Sequence, residues 1–540
     1  MLESNPTLSR KAKLEQLSKE YFDLIIIGGG ITGAGIALDA VSRGLKVALF
    51  EKNDFASGTS SKSTKLIHGG LRYLKQYEFS LVREVGKERA TVHKIATHLV
   101  RPEKMLLPLI KGGNYGKIIT SVGLMVYDVL ADVSNEDQRK MLTVDETIEI
   151  EPLLDEDRLE GGGLYSEYQT DDFRLVIELI KKAEQMGVVV MNYAPFVNFL
   201  EKAGSICGVE IEDLNGNETI KVYSDFVINS TGPWADEVRS TQEHIEGKHL
   251  HLTKGVHIVV PHQKLPVKQS VYFDVPDGRM MFAIPRHKVT YIGTTDTDFT
   301  GNPDEVRTTE DDVYYILDSV NNNFPTAELK LEDVLSSWAG VRPLIEEEGK
   351  SASEISRKDE IFVSDKGLIT IAGGKLTGYR KMAKRAVDQL MDIRSDSHSI
   401  TKEIKSKTKK IRIPGNDFKS YKSVKKYKIK LLKQFSDINP DIIDYLVDLY
   451  GSQAESILQG SKPSLILSEV DFCIRNEMVL HLVDFYIYRT GRLFFDVKSI
   501  EETLTEVADY MALVFEWTNT EKQHEISTLE KEIRLATVFS

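Results

Sequence analysis

The chain has 540 residues, 41% hydrophobic and 28% charged, too long for one simple core and ordinary for a globular protein of two or three domains. A formal net charge of −13 makes the surface as a whole a poor partner for nucleic acid. The two cysteines, Cys207 and Cys473, exclude a disulfide framework or a CxxC metal site and suit a reducing compartment.

The opening twenty residues carry Arg10, Lys11, Lys13 and Lys19 among acids and leucines, and read as an amphipathic helix rather than a signal peptide. No stretch reaches the roughly 18 uninterrupted apolar residues of a spanning helix. The most apolar window, residues 24–38, is interrupted by five glycines, so any membrane contact is expected to be peripheral.

Residues 22–27 form a short β-branched run bounded by glycines, as a buried parallel strand should. The turn Gly28-Gly29-Gly30-Ile31-Thr32-Gly33 follows, then helical spacing over 31–42, a stop at Gly44 and a second strand over 46–51. This is a βαβ unit with a G-x-G-x-x-G turn. Gly28 permits the tight turn, Gly30 lets the backbone approach a pyrophosphate, and Gly33 allows close packing of the helix. The helix N-terminus presents N–H groups to phosphate oxygens, and Glu51 stands where a carboxylate accepts ribose hydroxyls. The competing reading, an ordinary glycine-rich turn, is weakened by the strand before, the helix after and the acid closing the second strand.

Three later segments turn the reading from NAD to FAD. Residues 57–70 supply hydroxyl and backbone donors soon after Glu51, with Ser61, Ser63, Leu66 and Ile67 as candidate contacts. Residues 229–234 end a strand with small residues, including Gly232. Residues 372–377 join a strand to a helix and offer Gly374, Leu376 and Thr377. An N-terminal βαβ unit with a late strand–Gly-Gly–helix clamps an extended FAD, the late helix aiming its N-terminus at the flavin N1/O2 edge.

Strands are also expected at 187–192, 225–229 and 367–372, too scattered for one continuous mononucleotide fold. Residues 250–300 alternate around 257–260 and 289–292, with turn signals at Asp277-Gly278 and Pro285, as an antiparallel sheet does. After Ala383 the composition shifts. Residues 395–406 are linker-like, and 402–433 hold thirteen Lys or Arg against two acids, Glu403 and Asp417. Helices are expected at 442–450, 477–490 and 500–515.

The segments SKSTKLIHGGLRYLKQYEFSLV (61–82), YQTDDFRL (168–175), NSTGPWAD (229–236), KGVHIVVP (254–261), YIGTTDTDF (291–299), WAGVRPL (338–344) and GGKLTGYRKMA (373–383) resemble one known family. It is the FAD-dependent, quinone-linked glycerol-3-phosphate dehydrogenases, within the wider D-amino-acid-oxidase-like flavoproteins. The motifs span about 60–385, and the helical tail resembles the family's C-terminal domain, whereas the basic stretch 402–433 is not matched. The resemblance implies oxidation of sn-glycerol 3-phosphate to dihydroxyacetone phosphate: C2 gives hydride to flavin N5, a base takes the hydroxyl proton, and electrons pass to membrane quinone. It also implies a cytoplasmic protein held peripherally on the inner face of the cell membrane. The oligomeric state stays open, a homodimer included.

A substrate phosphate carries close to two negative charges and calls for converging cations, arginine above all. Arg72, Tyr73, Arg342 and Lys375 match the family's substrate-contact positions, with Arg357 ranked behind them. Arg342 lies among apolar neighbours, where an unpaired charge is costly. His257 and His68 compete as the base, with His257 first by its family position; the bland reading of either is a structural ring. Asp296, in Thr-Thr-Asp, reads as fixing a turn.

The expectation is an α/β protein: a Rossmann-type FAD-binding domain with an interleaved antiparallel β substrate-binding subdomain and a C-terminal helical domain. The oxidoreductase region covers 1–395, with FAD-binding segments at about 20–100, 145–240 and 340–395 and the subdomain at about 241–340. Residues 396–540 form the basic linker and helical domain. The rival readings are a glycerophosphate oxidase that passes electrons to O2, and a nucleic-acid-binding flavoprotein gripping RNA through 402–433 with Phe418, Tyr421 and Tyr427.

Overall fold

The β-branched run ahead of the glycine turn becomes the strand Tyr21–Ile27 at the heart of a parallel sheet. The computed structural model describes residues 6–68, 79–113, 139–242, 245, 247–346, 358–398 and 404–539. Leu24, Ile25 and Ile26 are completely buried because Glu218–Asn229 and Val47–Phe50 flank that strand, both parallel to it. Val189–Met191 extends the sheet beyond Val47–Phe50, and Ile369–Gly373 extends it beyond Glu218–Asn229. Antiparallel strands complete it: Asp359–Val363 on one edge, and Ser205–Asp213 with Phe196–Lys202 against the long Glu218–Asn229. Helix Ile31–Ser42 is buried along ten of its twelve residues, packed against Tyr379–His398 and Asp172–Gln185.

The second sheet is mostly antiparallel. Its centre runs Leu250–Pro261, Val289–Gly293, Met280–Arg286, Ser270–Asp274, Arg101–Ile110, Leu159–Gln169. Ser336–Ile345 pairs with the free edge of Leu250–Pro261 over ten residues. The sheet thus draws strands from well outside 241–340, and Leu159–Gln169, which falls in a segment expected to bind FAD, lies deep within it. Side chains alternate along Leu250–Pro261. Val256, Ile258 and Val260 enter a core shared with helix Glu310–Asn323, and Gly255 and His257 face the opposite way, into a cavity.

Among the described residues the C-terminal helices share their core with the rest of the chain. One apolar cluster runs from Ile26 and Leu38 through Val447 and Leu482 to Met511. Buried ion pairs cross the same boundary. Arg489 donates to both oxygens of Asp54 (2.5 and 3.0 Å), and Glu477 accepts from Arg174 (2.6 Å) and Lys181 (2.9 Å).

These pairs account for one departure from the sequence reading, the helix expected over 477–490. Helix Leu465–Glu477 stops at Met478, whose φ of 53° is left-handed, and a π-helical turn follows at Asp484–Arg489. Asp484 accepts the N–H groups of Leu480 and His481, both at 2.9 Å, so a side chain satisfies backbone groups that an unbroken helix would pair internally. The break lets Glu477 and Arg489 both turn inward. The opening helix, Pro6–Lys19, lies on the parallel sheet with Leu17 buried. Arg10 and Lys13 point into the protein, onto Asp213 and Glu184, where an amphipathic surface helix would hold them outward. Among the described residues no helix is long and apolar enough to cross a membrane.

Candidate active site

The parallel strands Tyr21–Ile27, Val47–Phe50, Glu218–Asn229 and Ile369–Gly373 all point their C-terminal ends at one cavity of about 530 Å³. That is where open α/β sheets bind ligands. The antiparallel sheet closes the opposite wall.

The first arm is built from backbone. Gly28 has φ +106°, and a Cβ on Gly33 would sit 1.9 Å from the Gly28 carbonyl oxygen, so the turn and the helix touch with no room for a side chain. Gly30 caps the helix in an extended conformation. Ser60 Oγ accepts the N–H of Ile31 at 2.9 Å. Glu51 accepts the N–H groups of Gly29 (2.7 Å) and Asn53 (3.0 Å), and burial pushes its pKa up. At the far end Gly374, Leu376 and Thr377 line the cavity, as do Gly232 and Leu66. Ser63 also lines it but turns its hydroxyl into the wall, donating to Asp172 at 2.7 Å. Ser61 and Ile67 are fully buried and do not line the cavity.

FAD fits this arm. The glycine turn and helix N-terminus suit a pyrophosphate, Glu51 a ribose, and the Gly373–Thr377 turn the flavin end.

The second arm is built from side chains on antiparallel strands. His257 pairs across the sheet with Gly293 on one side and Trp338 on the other. Its ring stacks on Trp338 with centroids 4.9 Å apart and planes at 12°. A Cβ on Gly293 would fall 2.4 Å from His257 Cδ2, so glycine there is the room for the imidazole. Gly255 does the same for Arg342, whose Nη2 would lie 2.1 Å from an added Cβ. Arg342 donates to Asp296 Oδ1 at 3.1 Å and to Thr294 Oγ1 at 2.7 Å. Asp296, expected only to fix a turn, is therefore the carboxylate that balances Arg342 in an apolar strand. Lys375 and His68 lie on the same cavity. Burial, then the charges of Lys375 and Arg89, push His68 down to about 3. Burial, then Arg342 and Lys65, hold His257 well below its usual value. Both rings are neutral at neutral pH.

The cavity brings together His257, Arg342, His68 and Lys375 with Gly28, Gly30, Glu51 and Gly374. Arg72, Tyr73 and Arg357 lie outside the described residues. The sequence reading missed Thr64, whose hydroxyl is 3.0 Å from His257 Nε2, and Lys65, which forms an ion pair behind it. Both lie in the motif 61–82, but nothing local marks their partners, which are 193 and 107 residues away.

Comparison with known proteins agrees with this geometry. The family model described as FAD dependent oxidoreductase matches residues 23–380, and one described as the C-terminal domain of alpha-glycerophosphate oxidase matches 406–522. A Bacillus subtilis protein named aerobic glycerol-3-phosphate dehydrogenase is 46% identical over 545 residues, covering 98% of each chain. A relative of the same name from Staphylococcus saprophyticus is also 46% identical, covering 98% of this chain and 97% of its own. The crystal structure of the glycerol-3-phosphate dehydrogenase of Bacillus halodurans complexed with FAD superposes with a TM-score of 0.84 at 38% identity, covering 98% of this chain and 99% of that one.

Proposed function

This chain belongs to the FAD-dependent oxidoreductases, among the aerobic glycerol-3-phosphate dehydrogenases, and we propose that it oxidises sn-glycerol 3-phosphate to dihydroxyacetone phosphate and delivers the electrons to membrane quinone. The observation that carries this reading is one cavity joining a glycine-built dinucleotide arm to a wall that holds His257 beside Arg342.

FAD, when bound, supplies the two-electron sink, accepting at N5 the hydride that leaves C2 of the alcohol. The chain's own residues do the rest. Arg342 and Lys375 hold the phosphate, with Arg72, Tyr73 and Arg357 as further contacts. Arg342 presents a planar fork already oriented by Asp296 and Thr294, so little freedom is lost when an anion binds. His257, neutral and buried, takes the hydroxyl proton. Arg342, one of the charges that lower its basicity, also faces the cavity where the dianionic substrate would sit. His68, on the same cavity, is the second candidate base.

The basic segment supports a peripheral place on an anionic membrane surface, the cytoplasmic inner face, where quinone is within reach. Lys409, Lys410, Lys419, Lys422, Lys425 and Lys426 are all exposed. The RNA-gripping alternative loses its aromatics to the core: Phe418 is 6% exposed and packs on Tyr427, while Tyr421 and Tyr427 lie against the main apolar cluster.

The test is anaerobic mixing of the purified flavoprotein with glycerol 3-phosphate or glycerol. Bleaching of the flavin absorbance by the first and hardly by the second is expected, followed by reoxidation by a quinone analogue. No bleaching by glycerol 3-phosphate would end the reading. Reoxidation by O2 with stoichiometric hydrogen peroxide, faster than by quinone, would make the protein an oxidase.

A further inference from the structure

His257 is held by an apparatus that the proposed reaction does not by itself require. Its Nε2 lies 3.0 Å from Thr64 Oγ1, and its Nδ1 has no hydrogen-bond partner among the described residues. Thr64 in turn sits on a short segment pinned at every residue around it. Trp338 Nε1 donates to the Ser63 carbonyl (3.2 Å), and Tyr291 Oη donates to the Thr64 carbonyl (3.2 Å). Lys65, with a left-handed φ of 57°, is completely buried and sends its ammonium to Asp172 and the Ser61 carbonyl, both at 2.7 Å. The rings of Phe494, Trp338 and Phe173 surround that ammonium at 4.8–5.2 Å. Trp338 is thus shared: one face stacks on His257 and its indole N–H holds the segment that carries Thr64. The distance between Thr64 and His257 is fixed from both sides by one rigid cluster.

A neutral imidazole has one N–H and one lone pair, and the bond made by one nitrogen decides which is which. If Nε2 accepted the Thr64 hydroxyl, its lone pair would be spent and Nδ1 would carry an unpartnered buried N–H. If Nε2 donates to Thr64, the lone pair is left on Nδ1, where a base needs it. The second arrangement leaves no buried N–H of the ring without an acceptor.

We propose that Thr64 is a positioning residue that accepts the Nε2–H of His257, holding the tautomer whose Nδ1 takes the substrate's hydroxyl proton. This rests on the reading of His257 as the base. In the step, the O–H bond of the substrate breaks and Nδ1–H forms as the C2 hydride departs. The resulting imidazolium keeps its bond to Thr64 and returns its extra proton to solvent after product leaves.

The test uses the holoenzyme and the variants Thr64→Val, Thr64→Ser and His257→Ala, each checked for retained FAD. Rapid-mixing flavin reduction should slow about 10- to 100-fold in Thr64→Val, as misplaced groups do, with substrate affinity within about threefold. Thr64→Ser should recover to within about threefold of the parent. Nitrogen-15 spectra of the histidine ring should show protonated Nε2 in the parent and a mixture of tautomers in Thr64→Val, which a merely structural role would not produce. A crippled His257→Ala beside a Thr64→Val that reduces at the parental rate would overturn the proposal alone. So would a parental spectrum with the proton on Nδ1, or a Thr64→Ser as slow as Thr64→Val. A His257→Ala at the parental rate would overturn the base reading and Thr64's role together. Should valine prevent FAD loading, Thr64→Ala carries the same comparison.

Discussion

The two arms of the cavity are built by different means. The dinucleotide arm is made of backbone: Gly28, Gly30, Gly33 and the first turn of helix Ile31–Ser42 come from one continuous stretch and leave side chains out of the way. The second arm is made of side chains, and its glycines, Gly255 and Gly293, give Arg342 and His257 room. Adding an atom should therefore be ruinous in the first arm, and removing atoms should be ruinous in the second.

The largest expected effect is Gly33→Ala. A Cβ 1.9 Å from the Gly28 carbonyl cannot be relieved by a flexible neighbour, so the turn must move and the protein should purify without its yellow cofactor. Gly378→Ala, whose Cβ would meet nothing within 4 Å and which does not line the cavity, should retain far more. Equal FAD content in the two variants would break the backbone reading of this arm.

Next comes Arg342→Ala. Losing one partner of a buried charge-assisted contact costs roughly 2–5 kcal/mol, at least ~30-fold in kcat/KM for glycerol 3-phosphate, with the slow rate on glycerol nearly unchanged. Arg342→Lys should also be damaging, because an ammonium cannot keep both the Asp296 and Thr294 bonds and a bidentate phosphate contact. Loss of both substrates in equal proportion would place Arg342 on the alcohol or the flavin.

A smaller effect follows from the buried histidines. His68, His98 and His257 are all held below the ordinary imidazole value by burial, the first two at about 3. The unfolded chain therefore binds more protons than the native one below about pH 6.5. Their contribution to stability is fully present above that pH and is lost as the pH falls toward 3. The denaturant midpoint should drop between pH 7 and pH 5, and His68→Asn should flatten the drop. A midpoint independent of pH over that range would contradict the burial of these rings.

The weakest effect belongs to the basic face of the C-terminal region. Binding to anionic vesicles should be detectable at low salt and vanish at high salt, since each lysine near such a surface is worth about 1 kcal/mol at most and is screened beyond a Debye length. Cosedimentation that is equal on neutral vesicles and insensitive to salt would point to apolar insertion by another helix.

How much was legible follows the same division. Strand, turn and helix over 21–42 were readable because a motif of close backbone contacts is contiguous, with Glu51 accepting an N–H only 22 residues back. The antiparallel strands around 250–300 were readable from alternation, and Arg342, His257 and Lys375 from the motifs that carry them. The sequence by itself determined the α/β class and the dinucleotide turn, because periodicity and local sterics act over a few residues, whereas the candidate substrate residues came from the family motifs. Only the tertiary structure decided that Asp296 balances Arg342, that Thr64 and Trp338 hold His257, and that Asp54 bonds to Arg489 from 435 residues away. It also decided the break after Glu477, where pairing buried charges outweighs one more turn of helix. Each of these depends on which distant groups share a low-dielectric interior, and that is set by packing the two sheets and the C-terminal helices together, which no local pattern along the chain records.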